Sequence, residues 1–66
     1  MTFRLRIDLG NAAFDDNPVP ELARILREVA AEVARADADS LRQYSKIFDV
    51  NGNTVGRYAL SGRRAR

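Results

Sequence analysis

The densest cluster of potential ligand atoms in the sequence is "DVNGN", residues 49–53, where Asp49, Asn51 and Asn53 crowd around Gly52. Oxygen donors at alternate positions suit a cation loop, and these three residues match positions 1, 3 and 5 of an EF-hand calcium loop. The rest of that pattern is missing: Thr54 stands at position 6, where glycine makes the sharp turn, and Leu60 at position 12, where a bidentate acid belongs. A β-hairpin accounts for every residue instead. Val50 and Asn51 fill the centre of a type I turn, Gly52 takes the left-handed bulge position, and the Asp49 carboxylate caps nearby amides. This register sets Asp49 opposite Asn53 and Ile47 opposite Val55. The alternative, a two-residue turn at Asn51-Gly52, sets Phe48 opposite Val55.

Other chemistry is thin. The chain has no Cys and no His, which removes thiol and imidazole catalysis and zinc-thiolate sites. Ser40, Ser45 and Ser61 sit in no recognisable nucleophile setting. Asp8, Asp15, Asp16 and Asp49 could gather at one end of a sheet around Mg²⁺, but Asp15 and Asp16 equally suit the approach to a helix N-terminus, where the dipole favours acids. The expectation is a non-enzymatic protein with no metal and no cofactor.

The elements that must carry any site are legible from periodicity. "TFRLRIDL" alternates, with Phe3, Leu5, Ile7 and Leu9 on one side and Thr2, Arg4, Arg6 and Asp8 on the other, the pattern of a half-buried strand. "NAAFDDNPVP" reads as a loop with a short helical turn over 12–15 and Phe14 as an apolar plug. From Pro20 to about Ala36, Leu22, Ile25, Leu26, Val29 and Val33 form one helical stripe. Either Asn17 or Val19 caps that helix, and Arg24/Glu28 and Glu32/Arg35 are spaced for ion pairs. Two further strands flank the turn at 49–53. Val55 lies out of phase with Tyr58 and Leu60, and a bulge at Gly56 restores them to one side.

The resulting fold is α+β, β-α-β-β in two layers: one helix on a three-stranded sheet, antiparallel in order 1-3-2. A right-handed crossover with strands 1 and 2 parallel is the alternative. Residues 1–61 form one domain, and 62–66 a flexible basic tail. At 66 residues the core is thin, and with neither disulfide nor metal to reinforce it, oligomerisation is the expected compensation. The lack of Cys, of a membrane-length apolar run and of a signal-peptide core fits an unprocessed cytoplasmic chain that does not engage membrane.

The net charge of +2 is unevenly spread. Residues 1–40 hold five Arg against eight acids, while 41–66 hold six Lys or Arg against Asp49 alone. A helix on one face of the sheet leaves the other open, with Arg4, Arg6, Tyr44 and Phe48 as candidate partner-binding residues. Aromatic and Arg side chains anchor protein interfaces, and the leading expectation is a self-associating interaction module, a homodimer or a complex with another protein through the open face. The same residue types bind single-stranded nucleic acid, so the alternative is a nucleic-acid-binding accessory protein using Arg4, Arg6, Lys46, Arg57, Arg63, Arg64 and Arg66. No base-reading motif accompanies them.

Three pieces, "NAAF" at 11–14, "ELARILREVA" at 21–30 and "DVNGNTVG" at 49–56, resemble a group of short phage, prophage and mobile-element proteins familiar from actinobacteria. That group is glycine-rich before the hairpin and ends in an acidic strand with Trp. Here "YSKIF", Tyr58 and a basic tail stand in those places. The resemblance implies an accessory factor in the host cytoplasm, with a host or phage protein as its partner, and brings no activity with it. "NAAF" would be either a contact loop or a structural one, with Phe14 closing the core.

Overall fold

The computed structural model describes residues 1–62. Three strands, β1 (Thr2–Ile7), β2 (Ser45–Phe48) and β3 (Thr54–Ser61), form one antiparallel sheet in the order β1-β3-β2, and the helix α1 (Pro18–Arg35) packs on it. The expected fold and strand order are those observed. Leu9, expected to extend the first strand, lies beyond its end and is 41% exposed. Here Asp8 donates its N–H to the Val55 carbonyl and accepts from the Gly10 N–H, which turns the chain away.

α1 begins at Pro18, two residues before the expected start. Asn17 is the cap: its backbone is extended and its Oδ1 accepts from the Val19 N–H at 3.1 Å. Pro18 suits the first turn because its missing N–H would have no intrahelical partner there. Glu21 in the first turn and Arg35 in the last match the helix dipole. At the far end Ala36 returns to extended backbone.

The helix buries Ile25 and Val29, which join Phe14, Ile47, Val55 and Tyr58 in the core. Leu5, Ile7, Ala13, Val33 and Leu41 pack around that cluster. Leu26, expected in the buried stripe, is 44% exposed: the stripe is wider than the small core beneath it. Phe14, carried on a 3-10 turn (Ala12–Phe14), is buried and closes the core as a plug.

The hairpin turn forms as expected. Gly52 N–H donates to the Asp49 carbonyl, Asp49 N–H donates to the Asn53 carbonyl, and Gly52 has φ +83°. The register beyond it differs. Ile47 pairs with Gly56, not Val55, and Phe48 pairs with Thr54, so the extra residue of the bulge is Val55, one before the expected place. Gly56 stays in the ladder because β1 crosses so close that a Cβ there would collide with the Arg6 carbonyl. The expected consequence holds, since Val55 and Tyr58 are both buried in one core.

Candidate functional site

The four acids considered for Mg²⁺ are not brought together: among the described residues no three carboxylates are grouped to hold a metal. Asp49 is committed elsewhere. Only 5% exposed, its carboxylate accepts from the Asn51 and Asn53 N–H groups at 2.9 Å each. It also accepts from the Asn11 side-chain amide at 3.0 Å and that of Asn53 at 3.2 Å. Oxygen atoms engaged by four N–H donors are the capping arrangement expected of the hairpin, extended by Asn11 into a strut between two loops. Nothing in the spacing of residues 11 and 49 announced that strut.

Polar links on the helix side are equally local and structural. Glu21 takes a bidentate bond from Arg24, at 2.7 and 2.8 Å, and the Val50 N–H at 2.8 Å. The Arg24 bond holds its carboxyl below the usual range, and the same pairing raises Arg24. Arg24 also pairs with Glu28 at 3.0 Å, as the spacing predicts. The expected Glu32/Arg35 pair does not form, because Glu32 instead accepts from the Tyr58 hydroxyl at 2.9 Å. Burial, followed by the Glu32 bond, pushes the Tyr58 phenol up. Ser40 donates its backbone N–H to the Asp37 carboxylate at 2.8 Å, which lowers that carboxyl, and its hydroxyl to the Asp37 backbone carbonyl at 3.0 Å.

The opposite face of the sheet gathers a different set. Cross-strand partners share a face, and Arg6 stands opposite Arg57 while Lys46 stands opposite Arg57 from the other side. Three cations therefore form one row across all three strands, at the strand spacing of about 5 Å. Arg4 lies two residues along β1, opposite Ala59. Ala59 is the small member of this face and is 8% exposed beneath its longer neighbours. Among the described residues, none of Arg4, Arg6, Lys46 and Arg57 makes an ion pair.

Aromatic rings flank this row. The Arg57 guanidinium carbon lies 4.7 Å from the centroid of the Tyr44 ring, a cation–π contact. Tyr44 is nevertheless 70% exposed. Phe48, on the same side of β2 as Lys46 by strand alternation, is about half exposed. A shallow depression of about 480 Å³ is lined by Phe3, Arg4, Leu5, Arg6, Tyr44 and Arg57. Every candidate residue within 1–62 thus lies on one surface. Arg63, Arg64 and Arg66 lie outside the described residues. The sequence named the cations; their alignment in one row, and the stacking of Arg57 on Tyr44, depended on a register displaced by the bulge.

No helix among the described residues is long and apolar enough to cross a membrane. Compared with protein-family models, curated proteins and solved structures, the chain finds no match.

Proposed function

We propose that this protein is a nucleic-acid-binding accessory module that engages phosphates through the open face of its sheet. The observation that carries the proposal is the row Arg6, Arg57 and Lys46, with Arg4 beside it and, among the described residues, no acid paired to any of them. Like charges directly opposite in a sheet are destabilising, so the row sets a cost that a polyanion would relieve. Arg and Lys on an exposed surface bind phosphate largely by releasing the counterions condensed on the strand.

Self-association through this face, the reading favoured by composition, would set four unpaired cations against four more. Charge complementarity favours an anionic partner over a second copy. Within the proposal the setting is that of the phage-type short proteins the chain resembles, a host cytoplasm. The exposed arginine array also suits a partner whose sequence is not read, because phosphate contacts position without specifying.

The test is fluorescence anisotropy with a labelled oligonucleotide over a series of salt concentrations. Binding is expected at low salt, falling linearly on logarithmic axes, and the slope should shrink by about 0.7 for each phosphate-contacting cation replaced by Gln. Absence of binding at low salt, or a slope that neutral variants of Arg6, Lys46 and Arg57 leave unchanged, would remove this face from the account.

A further inference from the structure

Resting on the nucleic-acid reading, the geometry points to a single strand as the ligand, with a base stacked on the open side of Tyr44 and its backbone held along the cation row. Two observations carry this beyond simple attraction of a polyanion. Tyr44 has one ring face covered by the Arg57 guanidinium at 4.7 Å, yet remains 70% exposed, so its other face is open to solvent. The cation behind the ring orients it and leaves a flat apolar surface beside the phosphate-binding charges. Exposed aromatic faces next to arginines are what unpaired bases use, since every base has a face to stack.

The second observation is the order of side chains on β2 and at the residue leading into it. Tyr44 just before the strand, then Lys46 and Phe48 within it, are spaced two apart as ring, cation, ring, at about 7 Å per step of extended chain, and Phe48 is 49% exposed. A strand of nucleic acid laid along β2 meets a ring at each end and a cation between, with Arg57, Arg6 and Arg4 reaching it from the side. An undistorted duplex keeps its bases inside the stack and offers neither ring a free base face. On the broad face of a sheet it is limited to phosphate contacts, because entry into the major groove requires a helix or a narrow two-stranded ribbon.

The experiment compares three probes at fixed low salt: a labelled thymidine oligonucleotide, an abasic strand with the same number of phosphates, and a duplex of equal length. The thymidine strand is expected to bind about 5- to 150-fold more tightly than the abasic one, the range of one stacked base. Tyr44→Ala should cut the thymidine-over-abasic affinity ratio severalfold, and Tyr44→Phe should keep it. The high exposure of Tyr44 lets these substitutions spare the core. Equal binding of thymidine and abasic strands, a preference untouched by Tyr44→Ala, or tighter binding of the duplex would each overturn the stacking assignment. Those three results, given salt-sensitive binding, leave phosphate recognition standing; failure of all three probes to bind removes both.

Discussion

Arg6 and Arg57 face each other directly across β1 and β3, and neither has an acidic partner among the described residues. Two cations in register repel, and a third, Lys46, extends the row. Replacing Arg6 by Thr, a good strand former of neutral charge, is therefore expected to stabilise the domain by about 0.5 kcal/mol. The gain should be larger at low salt, where screening is weakest. The same variant should bind an oligonucleotide less well. Urea midpoints and anisotropy measured on one preparation check both halves, and a variant less stable at every salt concentration would contradict the account.

Asp49 joins the hairpin to the loop before α1 through Asn11. Asp49→Ala leaves two backbone N–H groups and two side-chain amides without their acceptor, and we expect it to lower stability by about 3 kcal/mol. Asp49→Asn keeps the shape but offers an amide where donors already point, at an expected cost of about 1–2 kcal/mol. Chemical denaturation of the two variants against the parent gives the comparison. Equal stability of all three would show that the strut contributes nothing.

The two glycines of the hairpin region should respond differently to alanine. At Gly52, with φ +83° and open space around an added Cβ, only the left-handed backbone opposes the change, at about 1 kcal/mol. At Gly56 the methyl would strike the Arg6 carbonyl and approach the Ile7 Cα to 3.0 Å, so β1 would have to move off the central strand. A loss of about 3 kcal/mol or more is expected. Thermal melts that rank Gly52→Ala as the worse variant would refute the assigned register.

Tyr58 gives the stability an alkaline limb, and Glu21 together with Asp37 gives it an acid limb. Tyr58 is raised in the folded state by burial and by Glu32. Its contribution is full below the unfolded value of 10.0 and is lost as pH rises through the higher folded value. Glu21 is lowered by Arg24, so its contribution is present above its unfolded value of 4.5 and is lost as pH falls through the folded one. Denaturant midpoints should therefore decline on both flanks. Tyr58→Phe should flatten the alkaline decline, and Glu21→Gln should reduce the acid one to the part that Asp37 carries, each without affecting the other.

Elements governed by local rules could be read from sequence. The helix cap, narrowed to Asn17 or Val19, the Val50-Asn51 turn with left-handed Gly52, and the alternation of β1 all follow from neighbours a few residues apart. The misread features depend on distant contacts. Ile47 opposes Gly56 and not Val55 because the close approach of β1 to Gly56 decides where the bulge falls, and β1 lies more than forty residues earlier in the chain. Leu26 satisfies the helical period, but period says nothing of how far a short sheet extends beneath a helix. For the candidate face the residue types were legible, whereas the single cation row and the Arg57–Tyr44 stack required the completed register.

The order β1-β3-β2 also governs when the protein can fold as it is made. The central strand is the last of the three to leave the ribosome, and until it does, β1 and β2 have no neighbour and α1 has no complete sheet to cover. At typical synthesis rates the roughly fifty residues separating β1 from β3 take about 3–10 s to translate. Through that interval Phe3, Leu5 and Ile7 remain on an unpaired strand. Folding then waits on β3, whose arrival supplies partners for both outer strands at once, a late closure set by topology and not by the strength of any one contact.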